Sequence, residues 1–145
     1  MKIRVATILD FEQCFSLGIQ ALRWLEPEKE IDEDHIRIQL YEFITKGVVI
    51  VSEVEEVITG IICGVIKENI WYPSERLLTE LFWFVDPKYR ESSAALRLLK
   101  AFINAGKNNN VDRVVMGIMA HSPINNNVYE KRGFKLLEQA FVLEV

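Results

Sequence analysis

Residues 83–102 read WFVDPKYRESSAALRLLKAF, and their pattern predicts the central connection of the fold. An apolar run ends just before Pro87, and small residues then open a segment whose apolar positions recur at helical spacing. A second β-rich run follows at residues 114–120. A strand, a helix and another strand joined in this way predict a right-handed crossover between two parallel strands.

The chain on either side of this crossover divides into strand-like and helical segments. Two helices are predicted after an N-terminal strand at residues 2–7, and the second of them ends at Gly47. Two β-rich runs follow at residues 48–54 and 57–66, before the apolar run of the opening stretch. A short helix after Pro123 and a final strand complete the chain. The predicted order is βααβββαβαβ, an α/β (α+β) fold with a mixed sheet and helices on both faces.

Composition limits the classes of function. The chain has 145 residues, of which 50% are hydrophobic and 26% are charged, so residues 1–145 are predicted to form one domain. The net charge of −4 argues against nucleic-acid binding, and the apolar runs are too short or too interrupted to span a membrane. Cys14 and Cys63 lack the spacing of metal ligands, so we expect buried, reduced thiols, no metal and a cytoplasmic location.

The start of the helix in the opening stretch suits a phosphate. A helix N-terminus presents unpaired backbone N–H groups and a partial positive charge. The small residues there would let a phosphate approach the backbone closely, and Arg90 adds positive charge. The alternative is that Ser92 or Ser93 caps the helix and that the two alanines after them pack against the sheet.

Two motifs resemble those of a known family. The segment VDPKYRESSAAL, residues 85–96, resembles the pyrophosphate-binding motif V-x-P-x-x-[RQ]-x-x-G-x-[GA] of the GNAT superfamily of acyl-CoA-dependent N-acyltransferases. The matching residues are Val85, Pro87, Arg90 and Ala95. The segment VYEKRGF, residues 128–134, is similar to the family's Y-x-x-x-G-F segment. The order of elements also matches the family over essentially the whole chain.

The resemblance implies a mostly antiparallel sheet of six to seven strands and acetyl-CoA as co-substrate. It implies that backbone groups of the strand before Pro87 pair with the pantetheine arm of the cofactor. The residues concerned are Trp83, Phe84 and Val85. Backbone N–H groups after Arg90 would hold the pyrophosphate. They belong to Glu91, Ser92, Ser93, Ala94, Ala95 and Leu96.

The resemblance also implies two catalytic side chains. Tyr129 aligns with the family's general acid near the acyl-CoA sulfur, and its alternative role is an aromatic ring that packs against the strand edge. Glu80 lies on the strand where many relatives place a general base. Its position is one residue from the commonest spacing, so the side chain faces the other side unless a β-bulge shifts the alternation. A plain salt-bridging or edge role is the alternative for Glu80.

Three residues depart from the family pattern. Ser93 stands in place of a glycine, which restricts the backbone but keeps the N–H donor. Glu91 places a carboxylate beside the expected pyrophosphate, which is unfavourable unless the side chain points outward. Ser122 stands where relatives often have an asparagine that contacts the cofactor. These departures weaken the expected cofactor affinity more than they weaken the fold prediction.

The last residues, FKLLEQAFVLEV, contain no Gly, Pro, Asn or Asp. Tight hairpins normally need such residues, so one long strand from Phe134 to Glu144 is predicted instead of the two antiparallel strands that usually end relatives. The unpaired apolar edge of this strand favours a symmetric homodimer, unless a neighbouring strand of the same chain covers it.

These observations predict an N-acetyltransferase that passes the acetyl group of acetyl-CoA directly to an amine acceptor, either a small molecule or a peptide. The acidic stretch from Glu26 to Asp34 is a solvated surface or attracts a cationic acceptor. The alternative function is a non-catalytic GNAT-fold protein that binds acyl-CoA or a partner in a regulatory role. The missing glycine favours the alternative, whereas Tyr129 and Arg90 favour the enzyme.

Overall fold

Five strands form one sheet in the order β1-β2-β3-β4-β5 in the computed structural model, which describes residues 1–145. The strands are β1 (Lys2–Val5), β2 (Val48–Val54), β3 (Val57–Glu68), β4 (Arg76–Val85) and β5 (Arg113–Val115). The helices are α1 (Phe11–Leu25), α2 (Glu33–Lys46), α3 (Ala94–Asn108) and α4 (Asn127–Glu130). No helix is both long enough and apolar enough to cross a membrane. Neighbouring strands are antiparallel except β4 and β5, which are parallel and joined through α3, so the predicted parallel crossover is confirmed.

Alternation along β2 and β3 places apolar side chains on both faces of the sheet. Val51 and Ile61 belong to a buried cluster that packs against α1 and α2. Ile50 and Ile62, one position away on each strand, belong to a second cluster that packs against α3. Strands covered on both faces carry near-continuous apolar runs, and residues 48–51 of β2 and 61–66 of β3 are such runs. The predicted mixed sheet with helices on both faces is therefore confirmed.

A β-bulge interrupts β4 in the middle of the strand. Phe82 and Glu80 pair with consecutive residues of β3, so Leu81 is an extra residue without a partner. The bulge reverses the alternation of side chains along β4. Leu78, before the bulge, packs towards α3, whereas Phe84, after it, packs towards α1. The orientation of Glu80 is therefore set by a bulge and cannot be obtained by counting residues along the strand.

The sheet is smaller than predicted. It has five strands where six to seven were expected, and β5 is shorter than the predicted run at residues 114–120. The predicted final strand from Phe134 to Glu144 is wrong for the single chain, because no strand forms after β5. A strand needs a hydrogen-bonded neighbour, and residues 135–145 make no backbone hydrogen bond.

Candidate active site

A gap opens between β4 and β5 beyond their first residue pairs. The two strands pair only at residues 77–79 of β4, and the pairing then ends. The rest of β4 therefore has no strand on the side that faces β5. Trp83, Phe84 and Val85, which the resemblance links to the pantetheine arm, belong to this free edge. Such an edge can bind an extended ligand as if the ligand were another strand.

Gly117 connects the two candidate catalytic side chains across the gap. Glu80 Oε2 accepts a hydrogen bond from the backbone nitrogen of Gly117 at 3.1 Å. The Tyr129 hydroxyl donates to the carbonyl oxygen of Gly117 at 3.3 Å. The bulge at Leu81 and the placement of Tyr129 on α4 bring two side chains that are distant in sequence to the same residue, one to its nitrogen and one to its carbonyl oxygen.

Burial sets the protonation of both groups. It raises the pKa of the Glu80 carboxyl group, and the hydrogen bond from Gly117 N opposes this shift. Burial also raises the pKa of Tyr129 to about 12, and the nearby Glu80 carboxylate adds to the shift. Tyr129 therefore keeps its proton at neutral pH, whereas an ionised Glu80 is more basic than an exposed carboxylate. One group can donate a proton and the other can accept one.

Aromatic rings hold Tyr129 in place. Its ring meets Trp83 edge-on with 6.4 Å between centroids, and it meets Phe134 in the same way at 5.5 Å. The side chain is buried, so the packing role left open by the sequence is fulfilled. The hydroxyl group nevertheless reaches Gly117, and packing of the ring thus coexists with a positioned proton donor.

The start of α3 leaves backbone N–H groups without an acceptor in the protein. They belong to Glu91, Ser93, Ala95 and Leu96. Ser92 acts as a local cap, because its hydroxyl donates to Tyr89 O at 2.6 Å and accepts from Ala94 N at 3.1 Å. Ser93 has a φ of −77°, which any residue adopts, so serine in place of glycine does not strain the backbone. This helix start can donate several hydrogen bonds to one anion.

The other residues around the helix start and the gap have structural contacts. Ala94 is fully buried and Ala95 packs against the cluster under α3, so both alanines also support the sheet. Glu91 is exposed, which agrees with an outward orientation. The Ser122 hydroxyl accepts from Ile124 N at 3.2 Å in the turn before α4.

No group of three or more His, Cys, Asp or Glu side chains is placed to hold a metal ion.

Arg90 stacks on aromatic rings instead of bonding at the start of α3. Its guanidinium group lies 5.0 Å from the ring centroid of Trp24 and 5.2 Å from that of Phe84. Its Nε donates to Val85 O at 3.1 Å, on the free edge of β4. The Trp24 ring also lies 5.2 Å from that of His121. Sequence reasoning missed this cluster, because no local pattern links the end of α1 to the loops after β4 and β5.

Solved structures share this fold. The aminoglycoside N-acetyltransferase AAC(6')-Iy, in complex with the bisubstrate analog CoA-S-monomethyl-acetylneamine, has a TM-score of 0.77 at 18% identity, over 99% of this chain and 97% of that chain. A predicted acetyltransferase from Clostridium acetobutylicum with acetyl-CoA has a TM-score of 0.80 at 17% identity, over 99% and 95% of the two chains. A tetramutant of the BH1408 protein from Bacillus halodurans has a TM-score of 0.80 at 18% identity, over 100% of each chain.

The sequence itself matches a family model over most of its length. No curated protein matches the chain. The model of the Acetyltransferase (GNAT) family, however, matches residues 12–134. That range includes the gap, Glu80, the start of α3 and Tyr129, and it excludes β1 and most of the residues after α4. The chain therefore belongs to the GNAT acetyltransferase family.

Proposed function

We propose that this chain is a single-domain enzyme that transfers the acetyl group of acetyl-CoA to an amine acceptor by direct attack. One observation carries the proposal: Glu80 and Tyr129 meet at Gly117, in the gap between β4 and β5. Transfer from a thioester to an amine needs one group that accepts a proton and one that donates a proton. The two side chains match those roles in position and in protonation.

The residues around the gap fit acetyl-CoA. The free N–H groups at the start of α3 can donate to pyrophosphate oxygens, and the free edge of β4 can pair with the amides of the pantetheine arm. Acetyl-CoA supplies the thioester carbonyl that the amine attacks. Arg90 Nε must leave Val85 O before an amide can donate to that oxygen. The released guanidinium group is then available to a phosphate.

Glu80 and Tyr129 divide the proton transfers between them. Glu80 accepts the proton that the amine nitrogen loses, directly or through water, and its raised pKa makes it a better base once it is ionised. Tyr129, with a pKa of about 12, remains protonated and donates to the sulfur as the C–S bond breaks. The N–C bond forms and the C–S bond breaks. The proton that the nitrogen loses goes to Glu80, and the sulfur receives its proton from Tyr129.

A cationic amine is the acceptor class that the surroundings favour. The connection between α1 and α2 carries exposed acidic side chains, at Glu26, Glu28, Glu30 and Asp32. Trp24, at the end of α1, contacts both Phe84 and His121, so this connection lies close to the gap. Negative charge beside a cleft raises the local concentration of cations. An aminoglycoside acceptor, as named for AAC(6')-Iy, is one molecule of this class.

A regulatory protein that binds acyl-CoA without turnover is the alternative. Such a protein needs the start of α3 and the free edge of β4, but it does not need a proton donor and a proton acceptor at one residue. The contacts of Glu80 and Tyr129 with Gly117 therefore favour the enzyme.

Release of free thiol from acetyl-CoA tests the reaction. The assay uses a panel of polyamines, aminoglycosides and peptides with free N-termini. We expect release with at least one cationic amine, and we expect kcat/KM to rise with pH as Glu80 ionises. The exposed Tyr41 provides a matched control, since Tyr41→Phe should retain the activity that Tyr129→Phe loses. Binding of CoA without release for any amine would support the regulatory protein.

Calorimetry with CoA tests the binding site separately. Ser93 is exposed and its hydroxyl forms no hydrogen bond, so Ser93→Phe should fold normally and block the free N–H groups. We expect CoA affinity to fall by at least about tenfold, a loss of roughly 1.4 kcal/mol. Lys100→Phe, on the exposed surface of the same helix, should bind CoA like the wild type. Equal affinities for the two variants would place the pyrophosphate elsewhere.

A further inference from the structure

We propose that the rings of Trp24 and Phe84, here called the aromatic wedge, bind a second ammonium group of the acceptor, so that the preferred acceptor carries two amines about 10 Å apart. This inference rests on the proposed acetyl transfer and specifies its acceptor more closely. Trp24 is the next-to-last residue of α1 and Phe84 lies near the end of β4. Their ring centroids are 6.3 Å apart and their planes are tilted by 52°.

The wedge already holds a cation that belongs to the chain itself. The guanidinium carbon of Arg90 lies 5.0 Å from the centroid of Trp24 and 5.2 Å from that of Phe84. No carboxylate forms an ion pair with Arg90. The two rings and one hydrogen bond, from its Nε to Val85 O, therefore hold the group. Rings that hold a guanidinium group can hold a protonated amine by the same attraction.

The end of α1 makes the same place more favourable for a cation. The carbonyl oxygens of Arg23, Trp24 and Leu25 accept no hydrogen bond within the chain, and Pro27 has no N–H to supply one. The last turn of a helix carries a partial negative charge, which attracts cations. Trp24 is 39% exposed, so a ligand can reach its ring from solvent.

Cofactor binding would empty the wedge. Val85 lies on the free edge of β4, and its carbonyl oxygen must lose the hydrogen bond from Arg90 before an amide of the pantetheine arm can donate to it. The guanidinium group that leaves can form paired hydrogen bonds to a phosphate. An ammonium group of the acceptor then takes the place that Arg90 held between the rings.

The wedge lies about 10–13 Å from Glu80. Phe84 follows Glu80 by four residues on β4, and an extended strand advances about 3.3 Å per residue. The bulge at Leu81 shortens this distance slightly. The Trp24 ring also lies 5.2 Å from that of His121, beyond β5, so the wedge lies at the same gap as Glu80.

An unbranched diamine of about eight carbons spans this distance. An extended chain advances about 3.3–3.6 Å for every three bonds, so the nine or so bonds between its nitrogens cover about 10–11 Å. Each end is protonated in neutral solution, because a primary amine has a pKa of about 10, like that of a lysine side chain. The end near Glu80 loses its proton and reacts, whereas the end in the wedge keeps its charge.

Thiol release from acetyl-CoA tests this spacing. The acceptors are diaminobutane and diaminooctane, each with an amine at both ends, and octylamine, which has only one amine. We expect kcat/KM to be highest for diaminooctane and about tenfold lower for octylamine, mainly through KM. Diaminobutane is too short to reach both places and should resemble octylamine.

Variants of Trp24 test whether the wedge causes the preference. Trp24→Leu should remove the difference between diaminooctane and octylamine, whereas Trp24→Phe, which keeps an aromatic ring, should retain most of it. Trp71→Leu, in an exposed turn, is the matched control and should behave like the wild type. Equal rates for the two amines in the wild type, or an unchanged preference in Trp24→Leu, would overturn the second ammonium site and leave the proposed acetyl transfer standing.

Calorimetry tests the site without turnover, with diaminooctane as the probe and CoA in place of acetyl-CoA. We expect the wild type to bind diaminooctane at least about tenfold more tightly when saturated with CoA, because Arg90 occupies the wedge in the free chain. Arg90→Ala should bind the diamine equally well with and without CoA. A wild type that shows no effect of CoA contradicts the proposal. Failure of the acetyl transfer itself has a different sign, namely no thiol release with any amine.

Discussion

Residues 2–115 and residues 116–145 differ in how many of their backbone groups are hydrogen-bonded and in how many of their apolar side chains are buried. The first region contains all five strands and the three long helices, which cover both faces of the sheet. The second region contains one helix, α4, and residues 135–145, which make no backbone hydrogen bond. A chain can therefore complete its sheet and still leave its last residues exposed and without backbone hydrogen bonds.

The candidate active site uses both regions. The free edge of β4, Glu80 and the start of α3 belong to the first region, whereas Gly117 and Tyr129 belong to the second. Substitutions in the first region should therefore change stability and cofactor affinity, and substitution of Glu80 should also change turnover. Substitution of Tyr129 in the second region should change turnover with little change in stability.

Tyr129→Phe should reduce kcat by about tenfold to a thousandfold, because a general acid is lost and solvent replaces it only in part. The ring contacts with Trp83 and Phe134 remain, so the melting temperature and the CoA affinity should change little. Steady-state kinetics and thermal melts measure the two quantities. A wild-type kcat at every pH would remove Tyr129 from the mechanism.

Gly64→Ala should destabilise the protein by about 3 kcal/mol, because overpacking a rigid contact is costly. Gly64 lies on β3, and an added Cβ would collide with the carbonyl oxygen of Thr79 and lie 2.6 Å from Phe102 Cζ. Gly18→Ala in α1 is the control. A Cβ there meets open space, so that change should stabilise the helix by about 0.5–1 kcal/mol. Equal unfolding free energies in urea would contradict the rigid packing of the first region.

Asp10→Asn should destabilise the protein by about 2 kcal/mol at neutral pH. Asp10 accepts hydrogen bonds from Arg4 at 2.7 and 2.8 Å and from Thr7 N at 2.7 Å. The hydrogen bonds from Arg4, more than any other contact, lower the pKa of Asp10 to about 2.

The sign of the pH dependence follows from this lowered pKa. The stabilisation by Asp10 is fully present above its unfolded pKa of about 4 and is lost as pH falls through the folded pKa of about 2. Urea unfolding between those pH values should show the loss in the wild type and its absence in Asp10→Asn. Glu28→Gln, in an exposed connection, should behave like the wild type.

Trp24→Leu should raise the affinity for CoA by about two- to fivefold, the smallest effect expected. Pairing of the pantetheine arm at Val85 requires Arg90 to leave both Val85 O and the Trp24 ring, and removal of the ring makes that release easier. Trp71→Leu, in an exposed turn, should leave the affinity unchanged. Weaker CoA binding by Trp24→Leu would show that the stacked Arg90 belongs to the bound state.

Elements with a strong local pattern could be predicted from the sequence. The apolar runs of β2, β3 and β4 and the helical spacing after Pro87 led to the parallel crossover and the two helical layers, which the structure confirms. The motif around Arg90 and the segment around Tyr129 led to the family, which the match over residues 12–134 confirms. In both cases the pattern that allowed the prediction lies in residues close together in sequence, because periodicity and motif spacing are local properties.

Features that depend on distant contacts could not be predicted with the same success. The orientation of Glu80 depends on the bulge at Leu81, which arises from the register between β3 and β4. The stacking of Arg90 on Trp24 depends on how α1 docks on the sheet. Residues 135–145 have a strand-like sequence, but a strand also needs a free edge within reach.

Periodicity and residue size are local properties of the chain, so the amino-acid sequence was enough to predict the order of the elements up to α4, a core on both faces of the sheet and a helix start made of small residues. The meeting of Glu80 and Tyr129 at Gly117, and the lack of a hydrogen-bonded neighbour for residues 135–145, become visible only in the folded chain. The physical reason is that a side-chain direction on a strand and a neighbour for a free edge are both set by strand register and docking, which join residues far apart in sequence.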